Sequence, residues 1–284
     1  MADVCLWSED YDGCIEYADL LLNTTSPYRP AFMTDGNQWF SIFEIGNSNE
    51  SIFELNWDAS MEQTSNNPSQ WMSATIASPL RFTPAMVERL VADRIQAENS
   101  GNVPMRGEYS NYFLIDDLGL SWKYIGTSVA ETYRTGGDAN LIIYRMAEIL
   151  LMKAEAYIWK GESTWQEALD LINQVRARAH VPLLAPALSE ETEESMLKYV
   201  LHERDMELAG ELKRWYDLVR YGKSQGYRYK ADFITMILEN NATANPSWLR
   251  SVLKNEYAWY LPVNQSELDV NELLEQNPYY TTTQ

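Results

Sequence analysis

The stretch from Leu141 to Gly222 constrains the fold most: its apolar residues recur at helical spacing while charged residues interrupt the faces that should be buried. Between Leu141 and Trp159, Ile143, Met146, Ala147, Leu150, Ala154, Tyr157 and Ile158 line one side, and Ile142, Ile149 and Trp159 line the other. A helix that is apolar on most sides is buried on most sides, so this segment is predicted to lie inside a helical stack. Gly161 marks a turn, and a second helix is predicted over about 165–179 with Trp165, Ala168, Leu169, Ile172 and Val175 on one face. A third is predicted to start near Ser189, where Glu190, Glu191, Glu193 and Glu194 suit the positive end of a helix dipole. It carries Leu197, Leu201, Leu208, Leu212, Trp215 and Val219 as a stripe, with a bend at Gly210.

The misplaced charges carry the next inference. Arg145, Glu148 and Glu155 fall on one stripe of the first helix, Arg204 lies between Leu201 and Leu208, and Arg176 follows Val175 on an inward side. Buried charges must be paired, so these five residues are read as a structural ion network. The alternative is a buried acid–base site with shifted pKa values. It conflicts with the arginines, which hold carboxylates ionised and make them poor proton donors.

Size and charge narrow the partners. A chain of 284 residues, 45% hydrophobic and 12% aromatic, folds around a substantial core. Forty-one acidic residues against 22 basic ones give a net charge of −19, without any basic run, which makes nucleic acid and anionic lipid poor partners. Cys5 and Cys14, the only cysteines, are read as apolar packing residues of a helical hairpin. No segment reaches the roughly 18 apolar residues of a membrane span. No basic stretch followed by an apolar one forms a signal peptide, and the chain opens inside a helical pattern, as if cut into a longer protein.

The beginning of the chain resembles its middle. In LWSEDYDGCIEYADLLL from Leu6 and YIWKGESTWQEALDLIN from Tyr157, an aromatic helix end leads through a polar turn to an aromatic, then a small residue three positions on. Two similar hairpins separated by a looped-out insertion fit this pattern. Within the insertion, Ser41–Ile45 and Ser51–Leu55 are near-identical alternating segments around Gly46-Asn-Ser-Asn49, which predicts a β-hairpin. From Asn56 to Asn140 only 84–97 reads as helix; the rest is polar loop studded with Trp57, Trp71, Tyr109, Tyr112, Trp122, Tyr124 and Tyr133. Long ordered loops are usually functional.

Catalytic motifs are weak. There is no Walker loop, Gly-x-Gly-x-x-Gly run or zinc-ribbon spacing, and His202-Glu203-Arg204-Asp205-Met206 has Met206 where a zincin needs its second histidine. Gly126-Thr-Ser-Val-Ala130 lacks the second glycine of a nucleophile elbow. Asp116-Asp117 reads as a turn rather than a glycosidase pair. No catalytic residue, metal site or cofactor is expected.

YRMAEILLMKAEAYI from Tyr144, ALDLINQVRARA from Ala168, HERDMELAGELKRWYDLVRYG from His202 and YLPVNQSEL…NELLEQNPYY from Tyr260 resemble, in order and spacing, the signatures of the RagB/SusD family. The resemblance runs from about Asp138 to Tyr280, and Lys123-Tyr124 fits the family's middle region. It implies a mostly α fold of tetratricopeptide-like helical repeats with long loops and a small β-hairpin insertion. Residues 1–22 would close an earlier helical repeat, 23–140 form the loop-rich insert and 141–284 the C-terminal helical region, all within one compact domain. It also implies a cell-surface binding protein of the outer membrane that captures oligosaccharide for a SusC-like TonB-dependent transporter, without catalysis. The family's leader, lipidated cysteine and much of its N-terminal half have no counterpart here, so the chain is expected to be a C-terminal portion. A helical-repeat adaptor that binds only protein, and more distantly a carbohydrate-active enzyme, are the alternatives.

The resemblance transfers no ligand residue. Sugars are held by flat aromatic faces with a few side-chain hydrogen bonds. On that ground Trp71, in a polar loop, is the first candidate, followed by Trp57, Tyr109, Tyr112 and Trp122, each of which could equally anchor a loop. Trp159, Trp165 and Trp215 stand at helical packing positions and are set aside.

Overall fold

The small side chains of Cys14 and Ala18, both fully buried, let one helical hairpin close tightly onto another. The computed structural model describes residues 1–63, 78, 80–135, 137–239 and 245–281. Along the chain the helices are α1 (Ala2–Trp7), α2 (Tyr11–Leu22), α3 (Ser41–Glu44), α4 (Pro84–Asn99), α5 (Met146–Lys160), α6 (Trp165–Arg178), α7 (Glu193–Glu207), α8 (Arg214–Tyr227), α9 (Lys230–Glu239), α10 (Pro246–Leu253), α11 (Gln265–Val270) and α12 (Pro278–Thr281). The strands are β1 (Ser51–Leu55), β2 (Tyr112–Ile115), β3 (Leu118–Ser121) and β4 (Leu141–Arg145). The chain separates into two compact units, Met1–Trp215 and Tyr216–Gln284.

In the first unit, α1 and α2 form one hairpin and α5 and α6 the next, as the repeated pattern predicts. Asp10 starts α2 by accepting a hydrogen bond from the Gly13 amide at 3.0 Å. The two hairpins share a core of Ala2, Cys5, Leu6, Cys14, Ala18, Ile149, Met152 and Ala156, and Tyr11 stacks on Trp159 with ring centroids 5.8 Å apart. Both cysteines are free thiols and buried. Leu197, Val200 and Leu201 bury the inner face of α7, which begins at a Thr192–Ser195 capping box rather than near Ser189.

Three boundaries depart from the sequence pattern. Leu141–Arg145 is strand, not the first turn of α5: β-branched Ile142 and Ile143 favour an extended backbone, and Leu141, Ile142, Tyr144 and Arg145 pair with β1. The helix predicted to bend at Gly210 instead stops at Glu207; Gly210 and Leu212 take left-handed backbone conformations, with φ of 80° and 62°, before α8 starts. Leu212 and Trp215 therefore lie 44% and 39% exposed instead of continuing the stripe.

The hairpin expected over 41–57 is not formed. Trp39, Ile42 and Phe43, spaced for one helical turn, face the same aromatic core, so Ser41–Glu44 coils into α3. β1 pairs antiparallel with β4, with Phe53 opposite Tyr144 and Leu55 opposite Leu141. A hairpin does form elsewhere in the insertion: β2 and β3 pair across Asp116-Asp117, whose φ values of 49° and 63° match the primed turn that hairpins favour. Those two carboxylates are a turn, as read.

In the second unit, Tyr221 stacks on Tyr229 at 4.7 Å, and Phe233 meets Trp259 at 4.2 Å. The Asn277 side-chain amide donates to the Tyr257 and Tyr260 carbonyls at 2.9 and 3.1 Å, which ties the C-terminal Asn-Pro motif to the unit's body. Among the described residues, no helix is long and apolar enough to cross a membrane.

Candidate ligand surface and the buried ion cluster

Glu203, Glu207 and Glu211 recur every fourth residue and so share one helical face, continued by the turn after α7. That face does not meet solvent. Arg106, Lys123, Arg145, Arg176 and Arg178 converge on it, together with Glu50 and, at the edge, Asp93. Arg145, at the end of β4, is central. Its Nε donates to Glu211 at 2.8 Å, and its Nη1 donates to Glu50 at 3.0 Å and Glu207 at 2.7 Å. Nη2 donates to the Glu207 carbonyl at 2.9 Å and again to Glu211 at 2.8 Å. Arg106 pairs with Asp93 at 2.8 Å, with Glu207 at 3.0 Å and with Glu203; Arg176 pairs with Glu203 at 2.8 Å. Arg178 bridges Glu50 at 3.0 Å and Glu207, with its guanidinium over the Phe32 ring. Lys123 reaches Glu211 at 2.6 Å and lies over Phe43 at 4.7 Å from the ring centroid.

Five cations thus face five carboxylates, and they come from the insertion loops, β4, α4, α6 and α7. The cluster fastens the insertion to the helical stack. Burial opposes the charge on Glu207, but Arg178, Arg145, Arg106 and Lys123 outweigh it and hold the carboxyl well below the usual range. Glu211 is likewise lowered against burial by Arg145 and Lys123. Burial, only partly offset by Glu211, pulls the Lys123 ammonium down to about 8. Because both carboxyl groups are lowered in the folded state, their stabilising contribution is complete above the ordinary glutamate value of 4.5 and is lost as pH falls below it. From pH 7 to 5 these carboxyl groups add no slope to the unfolding free energy, leaving only the decline expected from His202, whose pKa burial lowers. Below pH 5 the unfolding free energy should fall with a slope approaching about 1.4 kcal/mol per pH unit for each proton taken up, and the denaturant midpoint with it. A midpoint constant to pH 3 would contradict this.

The structure distributes the predicted network differently. Arg145, Arg176 and Arg204 do not converge on Glu148 and Glu155. Arg145 lies on a strand end, not on the α5 stripe, and so turns to the α7 carboxylates. Arg176 takes Glu203. Arg204 does pair with Glu148, at 3.2 Å, in a second buried group with Lys213 at 3.1 Å from Glu148. Glu155 is buried on α5 two turns further on. Glu50, Arg106, Lys123, Arg178, Glu203, Glu207 and Glu211 were all overlooked, although the four-residue spacing of the last three was visible in the sequence.

The aromatic candidates also separate. Trp71 lies outside the described residues. Tyr112 and Trp122 are 2% and 0% exposed, so their faces are occupied by protein. Trp57 is half-buried beyond β1, its amide donating to the Asn140 side-chain oxygen at 3.3 Å. Tyr109 is half-buried and stands edge-on to Trp122 at 5.2 Å. Tyr133, not singled out as a candidate, packs on Trp122 at 5.5 Å and Phe113 at 5.7 Å while remaining 43% exposed. Two tyrosines thus present partly open rings over a rigid base of Trp122 and Phe113.

A closed loop supports this surface. Gly126 bridges to Tyr133, the Thr127 amide donates to the Thr132 carbonyl at 3.0 Å, and Trp122 Nε1 donates to the Thr127 carbonyl at 3.1 Å. The Ser128 amide donates to Glu44 at 2.9 Å, holding the loop to α3. Gly126 is required here: a Cβ would fall 1.9 Å from Trp122 Cε2. Gly126→Ala is therefore expected to cost about 1–3 kcal/mol and displace the loop. Fluorescence-detected unfolding checks it, and an unchanged midpoint would argue against the packing described.

Comparison with known proteins follows the same lines. A model of the SusD family matches residues 98–280. The SusD-like protein P38 of Formosa agariphila is 29% identical over 171 residues, 56% of this chain and 32% of the relative. A SusD superfamily crystal structure from Bacteroides vulgatus superposes with a TM-score of 0.66 at 19% identity, covering 98% of this chain and 57% of the other. Surface glycan-binding protein A from Bacteroides thetaiotaomicron superposes with a TM-score of 0.58 at 22% identity, covering 98% and 62%. The chain therefore spans about a third of the length of that curated relative and about three fifths of those solved chains.

Proposed function

The chain belongs to the SusD family, and from that premise we propose that it is a non-catalytic, cell-surface protein that captures oligosaccharide. Tyr109 and Tyr133, held half-open over Trp122, carry the proposal. Flat, partly exposed rings with little freedom left to lose suit the apolar faces of pyranoses, and the surrounding Thr127, Ser128, Glu131 and Thr132 offer hydrogen-bonding groups. Trp57 and Trp71 remain separate candidates on their sequence context. Tyr112 and Trp122 act from beneath as supports. The similarity to a surface glycan-binding protein points the same way.

The absence of catalysis rests on the charges. The buried carboxylates are locked to arginines, and Glu207 is held ionised far below neutral pH, which makes it a poor proton donor. Captured ligand passes, in this reading, to a SusC-like TonB-dependent transporter, with the full-length protein lipid-anchored at the outer membrane. Calorimetric titration against a broad oligosaccharide panel tests the glycan reading. Saturable binding to at least one member is expected. No binding across the panel, with tight association to the transporter, would replace it with the adaptor.

A further inference from the structure

Tyr133 stands on a short loop, and one residue of α3 holds that loop at two points. The loop closes on itself: the Arg134 amide donates to the Ile125 carbonyl at 2.9 Å, and the Thr127 amide to the Thr132 carbonyl at 3.0 Å. These bonds and the Trp122 indole fix the stem, while the tip over residues 128–132 is exposed. An exposed tip with local bonds is the least protected part of such a loop. Glu44, the last residue of α3, fastens both parts. Its carboxylate accepts the Ser128 amide of the tip at 2.9 Å, and its backbone carbonyl accepts Arg134 Nη1 of the stem at 2.6 Å. The second contact sets a cation on the open carbonyls of a helix end, and Arg134 Nη2 also donates to Asp138 at 3.1 Å. α3 is a firm anchor: Ile42 and Phe43 are buried, and Phe43 meets Trp39 at 5.3 Å and Tyr124 at 6.3 Å. Glu44 thus joins the aromatic core to a loop 84 residues further along the chain.

We infer that Glu44 is a positioning residue of the glycan surface, which touches no sugar and holds the Tyr133 ring in its binding posture. The inference rests on the glycan reading above. A ring fixed beforehand loses little freedom when a sugar stacks on it, so affinity rises without a new contact. Tyr109 stands on a different segment, where its amide donates to the Tyr112 carbonyl at 2.7 Å. Its share of the binding is therefore independent of Glu44.

Calorimetric titration with a panel of neutral and acidic hexasaccharides, maltohexaose, cellohexaose and laminarihexaose among them, tests this. Glu44→Ala should weaken binding about threefold to tenfold, the loss expected when one more side chain must be ordered on binding. Glu44→Gln keeps an acceptor for the Ser128 amide and should bind within about twofold of the unsubstituted protein. In a Tyr133→Ala background Glu44→Ala should cost nothing further, whereas in a Tyr109→Ala background its full effect should remain. A Glu44 that contacted sugar through its charge would lose affinity in Glu44→Gln as well. A Glu44 that merely stabilised the fold would weaken binding alike in both tyrosine backgrounds. Either result, or unaltered binding by Glu44→Ala, overturns the inference and leaves the glycan reading intact. Silence across the whole panel removes the glycan reading and this inference with it.

Discussion

Replacing Arg145 with methionine should lower the thermal midpoint of the protein by roughly 6–20 °C. Methionine preserves much of the volume but removes five donated hydrogen bonds to Glu50, Glu207 and Glu211. The carboxylates stay behind, fully buried, with fewer cations than charges. Breaking one side of such a cluster costs about 3–5 kcal/mol, and in a domain of this size each kcal/mol moves the midpoint by about 2–4 °C. Arg204→Met, which disturbs the separate Glu148 group, should cost less because Lys213 still faces Glu148. A shift below about 2 °C for Arg145→Met would mean that the cluster does not organise the fold.

The second large effect concerns the ligand surface and leaves the fold nearly untouched. Exchanging Tyr109 and Tyr133 together for alanine should weaken oligosaccharide binding by at least about a hundredfold, roughly tenfold for each ring lost. Each ring is partly open, so the thermal midpoint should move far less than for Arg145→Met. Trp122→Ala provides the contrast. Its indole is fully buried beneath both tyrosines and the Gly126 turn, so it should destabilise by about 3–5 kcal/mol and weaken binding only by releasing the loop. Titration and calorimetry of the three proteins separate contact from support.

How much of this was legible in the sequence depends on whether a signal was local. The α5–α6 hairpin and its counterpart α1–α2 follow from helical periodicity and small residues at close contacts, and the structure has both. Arg145 and Arg204 are recognisable as misplaced charges, and Glu148 as a partner of Arg204, but the partners of Arg145 are not. Glu50 and Glu207 come from segments far from Arg145 in the chain, and only the tertiary fold brings β4 alongside β1 and α7. The same limit explains the lost hairpin. Ser41–Ile45 and Ser51–Leu55 have nearly the same residues, yet the aromatic core draws the first into a helical turn while β4 captures the second. Aromatic residues in polar loops mark a set of candidates, but exposure is not written in one residue's neighbours. Trp122 and Tyr112 went inside, whereas Tyr133 stayed at the surface because its partner in the short Gly126 bridge holds it there.

Hydrogen exchange with and without a bound oligosaccharide reports where the ligand sits. Slowed exchange is expected in residues 107–112 and 126–134, around Tyr109 and Tyr133, with α5, α6 and α7 unchanged. Protection confined to the helical stack, with those two loops exchanging as before, would contradict a site at Tyr109 and Tyr133.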